Sequence, residues 1–290
     1  MTNSNKVAFL GLGTMGAGMA ARIAASNTPL VVWNRSKERA EPFSGRAEIA
    51  VSPGDAAAGA GTVIAMLADD TASRAAWLGE GGALSRAKRG TLLIESSTLS
   101  PGWIVELAAA ANAAGCELLE APVTGSKTQA ANGELRFFAG GTAAAIARAT
   151  GILKMMGTEI IHVGPHGSGA RLKLINNFLC AVQAASLAEA VALIERSGLD
   201  RDAALAVLSN GAPGSPMVKA AGGRMAKSDY TVNFSMNLIR KDLTYAIDEG
   251  LLHGVPLTTA LTARELFSRA TERGLGDRDF SAVVELTRQQ

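Results

Sequence analysis

The 290-residue sequence has few aromatic residues, few cysteines and little net charge, and each shortage excludes a class of protein. Its two cysteines, Cys116 and Cys180, lie far apart without metal-type spacing, which argues against a disulfide framework or a zinc site and predicts two buried thiols. The formal net charge is only +2, with basic residues scattered among acidic ones, so we expect no nucleic-acid-binding surface. Aromatic residues make up only 4% of a chain that is 48% hydrophobic, so we expect a folded core of aliphatic side chains.

The sequence also lacks a long uninterrupted apolar run. No run approaches the roughly 18 residues that a membrane helix needs. The first residues lead into Val7-Ala-Phe-Leu10 without a hydrophobic region of signal-peptide length. We therefore expect a cytoplasmic protein that binds neither membranes nor nucleic acid. Its expected partners are small molecules and copies of itself.

The pattern of the chain changes after residue 164. Before that point, β-rich runs alternate with helical stretches, which is typical of a parallel sheet with crossover helices. These runs are residues 7–10, 30–33, 62–67, 91–94, 117–119, 135–138 and 160–163. From Ser168 onward, helical periodicity takes over. A long helix is predicted from the spacing of Leu172, Ile175, Leu179, Val182, Leu187, Val191 and Ile194.

A glycine motif stands between the first predicted strand and the first predicted helix. It consists of Gly11, Leu12, Gly13, Thr14, Met15 and Gly16. Alone, this pattern could be a glycine turn without a ligand, but between a strand and a helix it predicts a dinucleotide site. The glycines would allow a tight turn, approach of the pyrophosphate and close helix packing, and the helix N-terminus would face the phosphates.

These patterns together predict the domain organisation. We expect an α/β Rossmann-type dinucleotide-binding domain over residues 1–164, followed by an all-α domain over residues 165–290 that is built on a long interdomain helix. A cleft is expected near residues 164–177. The helical domain holds more apolar helix than it readily buries alone, so we expect a homodimer or homotetramer to form through it.

The end of the second predicted strand indicates which nicotinamide cofactor is preferred. An acid there usually accepts hydrogen bonds from the ribose 2′-hydroxyl of NAD, but this chain has Asn34, Arg35 and Ser36. A guanidinium and a hydroxyl could bind a 2′-phosphate, so NADP(H) is predicted; NAD(H) is possible but disfavoured. The alternative is that Arg35 is a solvated residue at the start of the next helix.

Lys173 and Asn177 are the candidate catalytic pair. They lie four residues apart at the start of the long predicted helix, so their side chains share one face and could protonate and orient a carbonyl oxygen. The alternative is an ordinary surface lysine. However, a lysine near a helix N-terminus opposes the helix dipole, and Arg171 adds a like charge, so an anionic partner is indicated. Asn176 lies about 100° from Asn177 around the helix and could instead cap or bridge the structure.

Five motifs follow one another along nearly the whole chain. They are Gly11-Leu-Gly-Thr-Met-Gly16, Glu95-Ser-Ser-Thr-Leu-Ser-Pro101, Glu120-Ala-Pro-Val-Thr-Gly-Ser126, Gly167-Ser-Gly-Ala-Arg-Leu-Lys-Leu-Ile-Asn-Asn177 and Lys241-Asp-Leu243. In this order and spacing they resemble the β-hydroxyacid dehydrogenase family, which includes 3-hydroxyisobutyrate dehydrogenase and tartronate semialdehyde reductase. Within it, Gly125-Ser-Lys127, Ser215-Pro-Met217 and Asp279-Phe-Ser-Ala282 are most similar to the glyoxylate/succinic semialdehyde reductase branch, which favours NADPH.

The resemblance implies an activity and a set of site residues. The activity is transfer of hydride between NADP(H) and the carbonyl or hydroxyl carbon of a small carboxylic acid, of the glyoxylate, succinic semialdehyde or 3-hydroxyisobutyrate type. Lys173 would be the general acid/base and Asn177 would hold the substrate. The other implied residues are Thr98 and Lys241 beside the cofactor, Leu67 and Ala68 over the nicotinamide ribose, and Thr124, Gly125 and Ser126 around the substrate carboxylate.

Three departures from the family pattern bear on the substrate. The family often has Asp at the position of Glu120, Ser at that of Thr124 and Gly at that of Ser126. Thr124 keeps a hydroxyl but adds a stiff methyl group, which could make the pocket smaller. The carboxylate-binding role is therefore expected to persist, whereas the preferred chain length of the substrate could differ.

Two other functions stay open from the sequence. Imine reductases resemble this architecture but usually lack the lysine, and a non-catalytic dinucleotide-binding scaffold module could have lost Lys173 or Asn177, yet both are present. The decarboxylating 6-phosphogluconate dehydrogenases are much longer and have His where Asn176 stands. We expect His162, His166 and His253 to be structural, because no carboxylate or nucleophile stands at a spacing that is typical of a catalytic site.

Overall fold

The computed structural model describes residues 5–288. The chain forms two compact units that meet in sequence between Lys173 and Leu174. The pattern of the sequence had placed the boundary at residues 164 and 165, in the loop before the long helix. The units divide further along because the first turn of that helix is bonded to the sheet of the first unit, through the amides of Gly169 and Ala170.

The first unit contains a nine-stranded sheet. Its strands are β1 (Val7–Leu10), β2 (Leu30–Trp33), β3 (Glu48–Ile49), β4 (Thr62–Ala65), β5 (Leu92–Glu95), β6 (Glu117–Glu120), β7 (Val123–Thr124), β8 (Leu135–Gly140) and β9 (Gly157–Gly164). The order is β3-β2-β1-β4-β5-β6-β8-β7, and β9 pairs with β8. Strands β1 and β5 are buried along their whole length, as expected for a parallel sheet covered on both faces.

The sheet differs from the sequence prediction at one edge. Strand β8 runs antiparallel to β6 and β7, whereas a purely parallel sheet was expected. The reason is the short segment 125–134 between β7 and β8, since a parallel connection needs about a dozen or more residues. The very short strands β3 and β7 were also missed, because two residues give no periodic pattern.

Helices cover both faces of this sheet. They are α1 (Gly16–Ala24), α2 (Pro53–Ala57), α3 (Asp70–Leu78), α4 (Pro101–Ala113), α5 (Lys127–Asn132) and α6 (Ala143–Met156). Side-chain oxygens of Ser52, Asp69, Ser100 and Thr142 cap four of them by accepting first-turn amides. One face of the sheet packs on Met19, Ala130 and Leu153, and the other packs on Trp77 and Trp103.

The second unit is helical. Helix α7 (Ser168–Arg196) starts in the first unit, and the remaining helices are α8 (Arg201–Asn210), α9 (Pro216–Lys227), α10 (Met236–Leu252), α11 (Thr258–Ala270) and α12 (Val284–Arg288). Their core includes Ala184 and Val191 of α7, Leu243 of α10 and Phe267 of α11. A Rossmann-type sheet domain followed by a helical domain is therefore confirmed.

Part of the apolar stripe that the sequence predicted as the buried side of α7 is exposed. Ile175 and Leu179 are 46% and 49% exposed, while the buried stripe includes Ala181, Ala184 and Ala188. Small alanines make up part of the buried side here, which a count of large apolar residues does not detect. Among the predicted buried thiols, Cys116 is buried and Cys180 is half-buried.

By length and composition alone, α7 is apolar enough to cross a membrane, and it is the one such helix among residues 5–288. The sequence shows no uninterrupted apolar run of that length, because Asn176, Asn177 and Gln183 interrupt the apolar residues of α7. Half of the most apolar stretch is buried inside the protein. A buried core helix has the same length and composition.

Candidate active site

The glycine motif forms the turn between β1 and α1, and its three glycines serve different needs. Gly11 has φ +95°, and a Cβ there would overlap the Met66 carbonyl oxygen. A Cβ at Gly16 would overlap the carbonyl oxygen of Gly11, so both positions require glycine for packing within the protein. A Cβ at Gly13 would meet no atom within 4 Å. Gly13 therefore borders open space, as the approach of a pyrophosphate requires.

Backbone and side-chain hydrogen bonds fix this turn to the end of β2. The Gly11 amide donates to the Trp33 carbonyl oxygen at 2.8 Å, and the Leu12 amide donates to Asn34 Oδ1 at 2.7 Å. Asn34 Nδ2 in turn donates to the Ser36 carbonyl oxygen at 2.9 Å. Asn34, which the sequence suggested as a cofactor residue, thus shapes the turn that a cofactor would contact.

Thr14 and Met15 lead from this turn into α1. Met15 is the N-cap residue, and its side chain accepts no hydrogen bond from the first-turn amides. The first turn also contains no acidic residue. The amides at this helix start are therefore suited to an external anion, and the positive end of the helix dipole favours one there.

Arg35 and Ser36 extend from the end of β2 as exposed residues. Within residues 5–288, the Arg35 guanidinium makes no hydrogen bond or ion pair. Ser36 precedes the short 3₁₀ helix Lys37–Arg39 and does not cap it through its hydroxyl. Arg35 and Ser36 thus follow directly after Asn34, which bonds the glycine turn, in the segment where the sequence had predicted a 2′-phosphate site.

The segment after β4 is held by the segment after β5. The Leu67 amide donates to Ser97 Oγ at 2.7 Å, and the Ser97 amide donates to Glu95 Oε1 at 3.0 Å. Ala68 is exposed, and Thr98 is half-buried beside this junction. The candidate cofactor residues Leu67, Ala68 and Thr98 are thus brought to the ends of two adjacent strands, since β4 and β5 are parallel neighbours.

Glu95 is the buried anchor of this junction and was not singled out from the sequence. Its carboxyl is fully buried, and it also accepts hydrogen bonds from Trp77 Nε1 at 2.7 Å and Ser73 Oγ at 2.8 Å. Burial raises the pKa of the Glu95 carboxyl above its ordinary value, and the hydrogen bonds from Ser97, Trp77 and Ser73 oppose that rise. Its sequence signals were its place at the end of an apolar strand and at the start of the motif Glu95-Ser-Ser-Thr-Leu-Ser-Pro101.

The predicted carboxylate loop lies at the end of β7. Thr124 and Ser126 are half-buried, and Gly125 is exposed with φ +132°. The Ser126 amide donates to Gln129 Oε1 at 2.9 Å, its hydroxyl bonds the same oxygen, and the Thr128 amide donates to Ser126 Oγ at 3.2 Å. Ser126 therefore caps α5, and a substrate carboxylate that uses the Ser126 amide must displace the Gln129 side chain.

Lys173 lies near the start of α7 and is only 9% exposed. One turn earlier, the Gly169 amide donates to Glu120 Oε1 at 3.0 Å and the Ala170 amide donates to Glu120 Oε2 at 2.9 Å. Glu120 is fully buried at the end of β6, and burial raises the pKa of its carboxyl while these amides oppose the rise. The candidate proton donor thus follows a helix start that is bound to the sheet.

In the second unit, Asn177 and Asp242 form a buried pair. Asn177 Nδ2 donates to Asp242 Oδ2 at 2.6 Å, and Asn177 Oδ1 accepts from Asn176 Nδ2 at 2.9 Å. Lys241 Nζ lies 2.9 Å from Asp242 Oδ1, which is an ion-pair distance without the angle of a hydrogen bond. The sequence had suggested Lys241 and Asn177 but gave no role to Asp242, which fixes the orientation of the Asn177 amide.

The histidine side chains contact backbone carbonyl oxygens or, for His253, a carboxylate. His162 Nε2 lies 3.1 Å from the carbonyl oxygens of Gly141 and Gly164, His166 Nε2 lies 2.9 Å from that of Leu118, and His253 Nε2 lies 3.0 Å from Glu249 Oε1. Within residues 5–288, no group of three or more His, Cys, Asp or Glu side chains is placed to hold a metal ion.

Comparison with known proteins identifies the family. Residues 6–164 match the NAD binding domain of 6-phosphogluconate dehydrogenase, and residues 167–287 match the NAD-binding domain of NADP-dependent 3-hydroxyisobutyrate dehydrogenase. The chain is 34% identical to glyoxylate/succinic semialdehyde reductase 2 of Arabidopsis thaliana, with 96% of this chain and 78% of that one covered. The chain belongs to the β-hydroxyacid dehydrogenase family. This confirms the family that the motifs indicated.

Other members of the β-hydroxyacid dehydrogenase family are similar over nearly their whole length. The chain is 34% identical to 3-sulfolactaldehyde reductase of Escherichia coli (strain K12), with 97% and 95% of the two chains covered. The structure of Mycobacterium tuberculosis 3-hydroxyisobutyrate dehydrogenase with L-serine matches with 30% identity and a TM-score of 0.88, covering 98% and 99%. The protein is therefore an NAD(P)-dependent oxidoreductase, and its relatives are named for different substrates.

Proposed function

We propose that the protein transfers hydride between NADP(H) and the carbonyl or hydroxyl carbon of a small carboxylic acid, with Lys173 as the general acid/base. The observation that carries the proposal is the position of Lys173. It is a nearly buried lysine close to the start of a helix whose first amides are bound to a buried carboxyl. A buried lysine is rare in proteins unless its charge is compensated or used. Glyoxylate, succinic semialdehyde and 3-hydroxyisobutyrate are the substrate types proposed.

The chain's own residues would handle the proton and the orientation of the substrate. When bound, NADPH supplies the hydride that reduces the carbonyl carbon. Protonated Lys173 Nζ would stabilise the negative charge that develops on the substrate oxygen and give that oxygen its proton. In the oxidative direction, neutral Lys173 would accept the hydroxyl proton. Asn177 follows one turn later on the same helix, and its amide would orient the same oxygen.

The cofactor preference rests on the end of β2. Asn34 bonds the Leu12 amide and the Ser36 carbonyl, so no carboxylate stands there to repel a 2′-phosphate. Arg35 and Ser36 are exposed next to the glycine turn. A guanidinium binds phosphate with two parallel hydrogen bonds, so these residues support a preference for NADP(H) over NAD(H).

The substrate class rests on the loop at residues 124–126. Its amides and hydroxyls suit a carboxylate, and the β-branched Thr124 reduces the space for a long substrate chain. Gln129 now bonds Ser126 through an amide oxygen, which is the same kind of acceptor as a carboxylate oxygen. A carboxylate could therefore take its place at this amide.

An oligomer is also proposed. In the helical unit, Ile175, Leu179, Leu193, Leu251 and Leu252 are exposed large apolar side chains. Such surface supports burial against another copy as a homodimer or homotetramer. Light scattering coupled to size exclusion should give a mass of two or four chains, and a monomer at micromolar concentration would contradict this.

Steady-state kinetics test the proposed activity. NADPH and NADH oxidation would be followed with glyoxylate, succinic semialdehyde, methylmalonate semialdehyde, tartronate semialdehyde and a cyclic imine. We expect turnover of at least one of the aldehyde acids, faster with NADPH, and none of the imine. Turnover of the imine alone would favour an imine reductase, and no turnover of any compound would favour a binding module.

A further inference from the structure

The buried carboxyl of Glu120 joins the sheet to the helix that carries Lys173. It ends β6, has no exposed surface, and accepts the Gly169 amide at 3.0 Å and the Ala170 amide at 2.9 Å, one on each oxygen. Burying a carboxyl is unfavourable unless its oxygens are bonded. These two bonds span a sequence separation of about fifty residues. They therefore fix the position of a helix start relative to the end of a strand.

The start of α7 needs such an acceptor. The first amides of a helix have no acceptor within the helix, and the positive end of the dipole favours a negative or polar oxygen there. The first turn of α7 contains no acidic residue, and Arg171 and Lys173 place positive charge nearby. Glu120 supplies from the sheet the acceptor that the helix itself lacks.

Glycines on the adjacent strand and at the start of α7 leave room for the Glu120 side chain. A Cβ at Gly140 on the adjacent strand β8 would overlap Glu120 Oε1. A Cβ at Gly169 would overlap the Phe138 carbonyl oxygen and would come within 3.2 Å of Glu120 Cδ. Two glycines thus let the sheet, the helix start and a side chain as long as glutamate meet at one point.

We infer that Glu120 is a positioning residue that holds the first turn of α7 and thereby sets where Lys173 presents its amine. Gly169 and Ala170 lie four and three residues before Lys173, so all three share one face of the helix. A shift of the helix start would move Lys173 with it, and a misplacement of about 1 Å can lower a rate about 100-fold. The inference rests on the proposed role of Lys173 in proton transfer.

The variants Glu120→Gln and Glu120→Asp test the inference. Glutamine keeps the shape but places an NH₂ group against a backbone amide, and aspartate keeps the charge but is one methylene shorter. We expect kcat to fall about 10- to 100-fold in E120Q and less in E120D. The KM for the carbonyl acid and the Kd for NADPH should stay within about 3-fold of the wild type, since neither ligand is expected to touch Glu120.

Amide hydrogen exchange gives a readout that does not depend on activity. Exchange in a peptide covering residues 165–172 should be faster in E120Q than in the wild type. Glu95→Gln is the matched control, because Glu95 is paired in register with Glu120 on the adjacent strand, is equally buried and bonds Ser73, Trp77 and Ser97 instead. Exchange of residues 165–172 should be unchanged in E95Q.

The outcomes separate this inference from the proposed function. If the wild type reduces an aldehyde acid, Lys173→Met abolishes that turnover and E120Q keeps the wild-type kcat and exchange, the positioning role is wrong and the proposed function stands. If the wild type reduces no carbonyl acid, the proposed function fails and the inference fails with it. If E120Q does not fold, E120D is judged by the same kcat, KM and exchange criteria.

Discussion

Glu95 and Glu120 are two buried carboxyls paired in register on adjacent parallel strands, yet they organise different parts of the candidate site. Glu95 bonds the Ser97 amide, and Ser97 holds the Leu67 amide in the predicted cofactor segment. Glu120 instead bonds the first amides of α7, which carries Lys173. The same residue type in the same register therefore supports two parts of the proposed site. One is the cofactor side, which lies at the ends of β1, β2, β4 and β5. The other is the proton-donor side, which comprises the end of β6 and the first turn of α7 with Lys173.

The two sides of the proposed site should affect different kinetic quantities. Changes on the proton-donor side should alter kcat and leave cofactor affinity unchanged, whereas changes on the cofactor side should alter the Kd for NADPH. A variant that changed both by similar factors would show that the two sides do not act separately.

Replacing Lys173 should have the largest effect on the proton-donor side. Because a positioned general acid contributes about 10²- to 10⁴-fold to a rate, Lys173→Met should lower kcat by about that factor. The Kd for NADPH, measured by fluorescence titration, should remain within about 3-fold. Lys219→Met removes an exposed lysine of α9 and should keep the wild-type kcat. A Lys173→Met enzyme with kcat within a few-fold of the wild type would show that another group supplies the proton.

Replacing Arg35 should have the largest effect on the cofactor side. Hydrogen bonds to charged groups are worth about 1.5–3 kcal/mol, so Arg35→Ala should weaken NADPH binding about 10- to 100-fold. NADH lacks the 2′-phosphate, so its Kd should change little. Arg35→Lys keeps the charge without the planar fork and should lie between the two. Equal losses for NADPH and NADH would contradict the assignment of Arg35 to the 2′-phosphate.

Adding a methyl group at Gly13 should give a smaller effect on the same side. The added Cβ meets no protein atom within 4 Å, so thermal stability should be retained in Gly13→Ala. The methyl group would occupy the space needed by the pyrophosphate, and we expect a loss of about 10-fold in NADPH affinity. Gly102→Ala is the control, since its Cβ also meets open space, but in α4. Unchanged NADPH affinity in Gly13→Ala would place the pyrophosphate elsewhere.

Much of the cofactor side was predictable because its signals are local. The glycine turn follows from backbone requirements that only glycine meets at Gly11 and Gly16, and the buried strands read as short apolar runs. Lys173 is indicated by its place in a motif, and its role as the general acid/base stays a prediction. The family comparisons confirm the fold class and the enzyme class that these signals indicated.

The supporting contacts were not predictable because they join residues far apart in sequence. Glu120 meets Gly169 across 49 positions, and Asn177 meets Asp242 across 65. Asn34 was suggested as a cofactor residue, but its side chain bonds the Leu12 amide, which depends on how β1 and β2 lie side by side. No local pattern encodes such a meeting, since the partners stand in separate segments of the chain.

The smallest expected effect is the change in the free energy of unfolding with pH, which tests the effect of burying the Glu95 carboxyl. Burial raises the pKa of Glu95 from its ordinary value of 4.5. A group whose pKa is raised by folding contributes stability that is fully present below its unfolded pKa and is lost as the pH rises through its folded pKa. The free energy of unfolding of the wild type, relative to Glu95→Gln, should therefore fall as the pH rises above 4.5.

Urea unfolding of the wild type and Glu95→Gln between about pH 4 and about pH 8 would measure this difference. Glutamine mimics the neutral acid and cannot ionise, so the comparison cancels groups such as Glu195, whose pKa is lowered by the hydrogen bond from Arg288 and which acts in the opposite direction. Glu120→Gln should show the same sign, because burial also raises the pKa of Glu120. If the free energy of unfolding of the wild type, relative to Glu95→Gln, instead rose with pH, the four donors around Glu95 would outweigh its burial and hold it as a carboxylate.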